Sequence, residues 1–340
     1  MRWYRLEPCF RGWRYVRRPR RPYDPMPGET HLARTCVAPS PLQAWLAVRN
    51  ACYRVRRWHV YVLDEPVDVV PAFQVPDAAR TGEHWILHDA TFRWAGIMDE
   101  RWMELYLLEL KMPRSHRAIE RSKQVLEAFL KQCDRCYVAF SGGKDSSALL
   151  ALLAEMGCTD VPVFTQADDL DWPDKRSHCA RVVEHLGFQD WTLLPSLRSA
   201  RAQLSFEAEA VRGTFSHVVV QYVQMRDMHG VIMGLRAEES KGRRINYARK
   251  GSIYEAKGRI TCQPIAHWSG PLVIGYLLAR GVPLHPLYTA RWHVPPHERR
   301  MSWLVHPRFL GEGQLIFIKS CFPDVYERLV AQHPELCTLA

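Results

Sequence analysis

Six residues, Ser141-Gly142-Gly143-Lys144-Asp145-Ser146, constrain this chain more than any others because of what flanks them. Cys136 to Phe140 reads as a buried strand, and Ser147 to Met156 reads as a helix with Leu149, Leu150, Leu152 and Leu153 on its apolar side. The tight turn between them carries two hydroxyls, one ammonium and one carboxylate. Glycines let backbone N–H groups approach oxyanions closely, and a helix N-terminus adds partial positive charge. Lys144 adds a full charge, and Ser141 and Ser146 add hydroxyl donors. The stretch therefore reads as a phosphate cradle, although its spacing is not G-x-x-x-x-G-K-[ST]. An ordinary turn would account for neither Lys144 nor the flanking hydroxyls.

Around this loop, short apolar runs alternate with helical patterns. Pro113 to Gln132 is an amphipathic helix, with Ile119, Val125, Leu126, Phe129 and Leu130 near one face. Val161 to Thr165, Trp191 to Leu194 and Val231 to Gly234 read as strands; Lys175 to Leu186 and Phe215 to Met228 read as helices. The alternation predicts an α/β fold with a parallel twisted sheet and helices on both faces. Ligands bind such sheets at the carboxyl ends of strands. The phosphate loop, the Asp168/Asp169 pair and the segment after Gly234 all follow strand ends, so they are expected to converge.

That last segment is Gly234-Leu235-Arg236-Ala237-Glu238-Glu239-Ser240-Lys241-Gly242-Arg243-Arg244. Gly234 permits a sharp exit from the sheet, and Arg236, Lys241, Arg243 and Arg244 can clamp anionic oxygens. Glu239 can fix Arg236, orient a neighbour or help hold a metal. Taken alone the segment also fits a solvated charged loop.

The S-G-G-x-D-S hexapeptide resembles the PP-loop of the ATP-pyrophosphatase (adenine nucleotide α-hydrolase-like) superfamily. Gly-x-Arg-x-x-Glu-Ser followed by Arg is similar to the second signature of the phosphoadenosine phosphosulfate (PAPS) reductase family, a branch that includes sulfate-activating and DNA-phosphorothioation relatives. A third stretch, Pro264-Ile265-Ala266-His267-Trp268-Ser269, then Tyr276-Leu277-Leu278 and Gly281-Val282-Pro283-Leu284-His285-Pro286-Leu287-Tyr288, is similar to that family's P-[LI]-x-x-W-[ST]…Y…G-x-P-x-x-P-L-Y run. The resemblance covers about residues 115 to 330.

The chain also departs from the family. Leu272-Val273-Ile274 stands where the family has an Asp before a Val-Trp pair. Ala167-Asp168-Asp169 and Trp172-Pro173-Asp174-Lys175 replace an Asp-Thr-Gly turn and Phe-Pro-Glu-Thr. The Glu-Cys-Gly-type tail that carries the nucleophilic cysteine of true PAPS reductases is missing. Cys337, in Glu335-Leu336-Cys337-Thr338, is the nearest substitute.

The resemblance implies ATP, or an adenylyl sulfate-type nucleotide, as the ligand. Ser141, Gly142, Gly143, Lys144 and Ser146 would hold the phosphates, with Gly234 and Glu239 completing the nucleotide site. Lys144, Asp145, Arg236 and Arg243 are the expected catalytic residues. Mg²⁺ travelling with the nucleotide is the expected metal, since it bridges phosphates with few protein ligands, and Asp145, Asp168 and Asp169 are its candidate holders. No iron–sulfur cluster is expected, because Cys158, Cys179, Cys262 and Cys321 are widely spaced. Cys133-x-x-Cys136 alone is a weak signal for zinc or a redox pair, and Cys136 fits a buried strand start. His293 and His297 flank Pro295-Pro296, so they do not share a helical face.

The implied reaction is cleavage or displacement at the α-phosphate with pyrophosphate release, activating an acceptor in sulfur transfer or nucleic-acid modification. Two alternatives stay open: a PAPS or adenylyl-sulfate reductase using Cys337, and a nucleotide- or nucleic-acid-binding module without turnover.

The net charge of +10 is N-terminal: residues 1 to 60 hold thirteen Arg, no Lys and three acids, and the rest of the chain balances. Arginine interleaved with Trp3, Tyr4, Trp13 and Tyr15 suits phosphate contact plus base stacking, so nucleic acid is a candidate partner; a solvated arm is the plainer reading. Residues 1 to 27 are expected to form an extended or irregular Arg/Pro-rich arm and 28 to 112 a small α+β domain. The nucleotide-binding domain is expected over 113 to 330, with a tail from 331 to 340. Within the small domain, Thr30 to Ala38, Trp58 to Asp64 and Trp85 to His88 read as strands, and Ser40-Pro41 opens a helix to about Arg54. No apolar run approaches the ~18 residues a membrane span needs. The charged N-terminus is not followed by an apolar segment, so no signal peptide is expected. Ten cysteines without framework spacing point to the cytoplasm.

Overall fold

The computed structural model describes residues 3–23, 29–49, 55–167, 171–195, 219–256, 258–290, 292, 294–301, 314–334 and 336. The chain forms two compact units, Met1–Met112 with Ile274–Ala290, and Pro113–Val273 with Arg291–Ala340.

The first unit contains β1 (Tyr4–Glu7), β2 (Arg14–Arg17), β3 (Thr35–Val37), α1 (Pro41–Val48), β4 (Arg57–Leu63), β5 (Val70–Pro71), α2 (Ala78–Thr81), β6 (His84–Ile86), β7 (Ala90–Asp99) and α3 (Glu100–Lys111). An antiparallel sheet runs β1-β4-β7-β2, and a smaller one runs β3-β6-β5. Tyr61, Ile86 and Phe92 are fully buried between them. Ser40 caps α1 as its sequence foretells: the hydroxyl accepts from Gln43 N at 3.2 Å, with Pro41 in the first turn.

Of the N-terminal stretch expected to be extended or irregular, Tyr4–Glu7 and Arg14–Arg17 are extended, as β1 and β2. Pro8, Pro19 and Pro22 lie outside both strands, and Arg14-Tyr15-Val16-Arg17 alternates exposed and half-buried positions. Tyr15 supplies the inward anchor, 4.8 Å from the Tyr61 ring and 5.8 Å from Phe92, with its hydroxyl donating to Glu7 at 3.0 Å. Burial between aromatic rings outweighs the poor local propensity.

The second unit contains α4 (Pro113–Gln132), β8 (Cys136–Ala139), α5 (Lys144–Glu155), β9 (Val163–Ala167), α6 (Lys175–Leu186), β10 (Trp191–Pro195), β11 (Gly230–Met233), α7 (Lys241–Lys250), β12 (Ile253–Ala256), β13 (Arg259–Cys262), the start of α8 (Gly270–Ala279), α9 (Gln314–Cys321) and α10 (Pro323–Gln332). Of the helix expected over Phe215 to Met228, residues 219–225 are helical and 215–218 lie outside the described residues.

The six-stranded sheet runs β10-β9-β8-β11-β13-β12 and is flanked by helices. Every pairing is parallel except β12–β13, an antiparallel hairpin that sequence alternation did not reveal. Its turn includes Gly258 at φ +71°, where a glycine is at home. From β8 the chain winds outward through β9 and β10, then returns to place β11 on the other side of β8. That reversal opens a crevice at the carboxyl ends of β8 and β11. Both strands are deeply buried there, with Val138 and Ile232 fully covered. In α5, Ala148, Leu149, Leu150, Ala151, Leu152 and Leu153 are all buried, so the helix is covered on every side rather than along one stripe. Each fully buried leucine contributes roughly 1.5–3 kcal/mol, which fixes the start of α5 rigidly at the crevice.

Candidate functional site

β8 ends at Ala139, and the loop that follows turns on Gly142, whose φ of +78° a side chain would rarely adopt. A Cβ there would also stand 2.7 Å from Cys179 Sγ. His178 braces the turn by donating from Nε2 to the Gly142 carbonyl at 3.1 Å. Inside the loop, Ser146 Oγ lies 3.0 Å from Ser141 Oγ, accepts from Ser141 N at 3.3 Å and donates to Gly143 O at 3.1 Å. The two serines expected to bind phosphate thus hold the loop's shape as well.

α5 begins at Lys144, three residues before the expected start, and its N-cap is Gly143, with no side-chain cap hydrogen bond. This places the positive end of the helix at the loop, where Gly143 N donates to Ser141 Oγ at 3.3 Å.

At the end of β11, Gly234 abuts this turn so closely that a Cβ would lie 2.7 Å from Ser146 Cα and 2.8 Å from Asp145 O. Close approach of backbone to backbone is what brings the second segment against the loop. Arg236 reaches back through Nε to a carboxylate oxygen of Asp145, and its Nη1 pairs with Glu238. The other Asp145 oxygen accepts from Lys144 Nζ at 2.8 Å; Lys144 Nζ also donates to the Arg299 carbonyl at 3.0 Å. Glu239 accepts from Arg236 N at 3.4 Å and pairs with Arg243, while Arg300 Nη2 donates to the Glu239 carbonyl at 2.9 Å. Ser240 caps α7 by accepting from Arg243 N at 3.2 Å. Glu238 also accepts from Gly270 N at 2.6 Å, tying this segment to the start of α8.

The charges are dense. Lys144, Arg236, Arg243 and Arg300 act on one another electrostatically, against the carboxylates of Asp145, Glu238 and Glu239. Burial raises the cost of ionising Asp145, yet Lys144 and Arg236 outweigh it and hold its carboxyl below the usual range. Burial, with Arg236 and Arg300 nearby, lowers the Lys144 ammonium although Asp145 partly offsets this. Arg243 is lowered by burial, then by Arg300 and Arg236. His297 is lowered by burial and by Lys144 and Arg236. A cluster in which cations depress one another's protonation gains from a bound anion.

The structure thus gathers Ser141, Gly142, Gly143, Lys144, Asp145, Ser146, Gly234, Arg236, Glu239 and Arg243 around the first turn of α5. Asp168, Asp169, His293 and Cys337 lie outside the described residues. The two Asp145 oxygens pair with Lys144 and Arg236, and no group of three His, Cys, Asp or Glu that could hold a metal ion is found among the described residues. Arg299, Arg300 and His178 are not singled out by the sequence. Arg300 carries a faint signal, a second basic residue after Pro295-Pro296, while His178 carries none.

The third segment is structural in its visible contacts. Trp268 Nε1 donates to Ser122 Oγ at 2.8 Å, Ser122 donates to Pro264 O at 2.7 Å, and Ala237 N donates to Ala266 O at 2.7 Å. Leu272, Val273 and Ile274 are buried. Cys133 and Cys136 are buried free thiols, and burial raises both, Cys136 to about 12.

Residues 135–294 match the family model of the phosphoadenosine phosphosulfate reductase domain. No curated protein matches the sequence. Among solved structures, phosphoadenylyl-sulfate (PAPS) reductase from Candida auris, a phosphate complex, aligns with a TM-score of 0.41 at 13% identity, over 58% of this chain and 98% of its own. FMN adenylyltransferase from Candida glabrata, in complex with FAD and inorganic pyrophosphate, aligns with a TM-score of 0.41 at 16% identity, over 54% of this chain and 68% of its own.

Proposed function

Because residues 135–294 carry a phosphoadenosine phosphosulfate reductase domain, we propose that this chain is an enzyme that binds an adenine nucleotide, ATP in the first instance, and directs attack at its α-phosphorus. The observation that carries the reading is the first turn of α5, capped by a glycine and ringed by Lys144, Arg236, Arg243 and Arg300. The phosphates lie at the N-terminal end of α5, over the loop that Ser141 and Ser146 hold in shape. An acceptor lone pair bonds to the α-phosphorus, and the bond to the bridging oxygen breaks. Its electron pair leaves with pyrophosphate, and the acceptor's proton passes to solvent. Charge growing on the leaving group meets preorganised dipoles and guanidinium groups, which stabilise it more than the ground state. Magnesium, when it accompanies the nucleotide, would be held mainly by the phosphates, and it neutralises their charge.

Lys144 is buried on Asp145 and the Arg299 carbonyl, so its role is to position the loop and add charge beneath it. Reduction by a thiol would fall to Cys337, which lies outside the described residues. Cys179 lies against Gly142 but is buried and pushed up to about 12, far from the accessible thiolate that attack requires. Eight free cysteines among the described residues suit a reducing, cytoplasmic setting.

The test is pyrophosphate release from ATP by the full chain. Ser146→Ala and Arg300→Ala should each lower kcat/KM by about 10- to 100-fold, as expected for charge-assisted or loop-shaping hydrogen bonds worth ~1.5–3 kcal/mol. Equal rates in wild type and both variants would refute the assignment. Sulfite release from PAPS that vanishes in Cys337→Ser would establish the reductase instead.

A further inference from the structure

The first unit carries a second feature that nucleotide chemistry does not use. β2 is the edge strand of its sheet, and the residues around it are exposed arginines: Arg14, Arg18, Arg20 and Arg21. Charge on an edge strand deters pairing with another chain, which would be reason enough for arginine. It does not explain the aromatic groups beside it. Trp13 is 70% exposed and Phe10 47% exposed. The Trp13 ring stands edge-on to Trp94 at 4.9 Å, and Phe10 lies 5.5 Å from Trp13. Trp94 is fixed from below: its Nε1 donates to His59 Nδ1 at 3.2 Å, and its backbone N–H donates to Trp13 O at 2.8 Å. The result is a rigid aromatic shelf whose outer members remain open to solvent.

Around the shelf the positive charge is only partly met. Arg14 and Arg93, opposite one another across β2 and β7, share the single carboxylate of Asp64. Arg18 reaches Asp89 at 3.4 Å with both side chains largely exposed. Residues 1 to 60 hold thirteen Arg against three acids.

We infer that this shelf and the arginines of β2 form a binding surface for single-stranded nucleic acid, with bases stacking on Trp13 and Phe10 and phosphates running along Arg14, Arg18 and Arg21. Stacking is available to any base, and guanidinium groups suit phosphate, so the surface is sequence-tolerant. A duplex keeps its bases stacked on one another and offers the shelf nothing. The inference is independent of the nucleotide reading above, because it rests on residues 10 to 94 only.

The test uses the full chain and a labelled 12-nucleotide oligo(dT), with oligo(U) as a parallel arm, in anisotropy titrations at several salt concentrations. Binding should quench tryptophan fluorescence, and the two arms decide whether DNA or RNA is preferred. Trp13→Ala should weaken binding by about 10-fold, whereas Trp13→Phe should retain most of it. Arg18→Gln combined with Arg21→Gln should flatten the log–log salt slope by about 1.4, at ~0.7 for each phosphate no longer neutralised. None of these three variants should change pyrophosphate release. The inference falls if the wild-type chain does not bind at 50 mM salt, or if Trp13→Ala binds as tightly as wild type. It also falls if inorganic polyphosphate, which has no bases, competes as well per phosphate as oligo(dT), or if a chain dimer that Trp13→Ala dissolves is the only association seen. Should Trp13→Ala lower the urea midpoint, the arginine pair, on exposed positions, decides the matter by its slope alone.

Discussion

Arg236 and Asp145, ninety-one residues apart in sequence, form an ion pair whose side chains are 3% and 14% exposed. Asp145 is at once a member of the loop's helical first turn and the counter-charge that holds both Lys144 and Arg236 beneath it. Asp145→Asn keeps the shape and removes the charge, leaving two buried cations poorly compensated. A loss of about 3–5 kcal/mol is expected, typical of breaking a buried pair from one side. Urea unfolding with a shared m-value measures it, and a midpoint like that of wild type would show the pair to be energetically idle.

The same pair sets an acid dependence. The folded carboxyl of Asp145 lies below its unfolded value of about 3.9, so the folded state binds this proton less readily than the unfolded chain. Its contribution is therefore fully present above the unfolded value and is lost as pH falls through the lower, folded one. Wild type should lose stability more steeply than Asp145→Asn between about pH 4.5 and pH 2. Parallel curves for the two proteins over that window would contradict the assigned direction.

Gly234 offers a separate handle on the crevice. A methyl group there would press on Ser146 Cα at 2.7 Å and Asp145 O at 2.8 Å, both backbone atoms that cannot rotate away. Gly234→Ala should part β11 from the loop, costing about 1–3 kcal/mol in stability as overpacking does. ATP affinity should fall by more than that stability loss alone would produce. Calorimetric titration beside thermal unfolding separates the two effects.

Thiol reactivity tests the electrostatic picture from another side. Burial pushes Cys36, Cys136 and Cys179 up to about 12, and Cys262 higher still, whereas Cys9 is exposed. In the native protein at pH 8, iodoacetamide should label Cys9 within minutes and leave those four untouched until denaturant is added. Peptide mapping by mass spectrometry reads this directly, and prompt labelling of Cys179 would reopen thiol chemistry at the loop.

What the sequence disclosed follows physical locality. The helices Pro113–Gln132 and Lys175–Leu186 have the bounds that periodicity predicts, because each is long and amphipathic. The loop of residues 141–146 was legible because all its members are contiguous. β7, ten residues long and carrying Arg93 and Trp94 at its centre, was missed, since half its length faces neither a dry core nor open water. Lys144 meets the Arg299 carbonyl across 155 residues, and no pattern along the chain announces such a partner. Asp145 illustrates the same limit: its type and place could be read, but its ion pair with Arg236 could only be seen once the strands were assembled.

Gly143 stands where most helices of this kind carry serine, threonine, aspartate or asparagine. Any of those would finish the helix from within and occupy the space an oxyanion needs. Under the proposed function, a nucleotide bound there at one hundred times its dissociation constant would add about 2.7 kcal/mol to the native state. The melting temperature of this protein should therefore serve as a substrate detector, ranking candidate nucleotides before any turnover is measured.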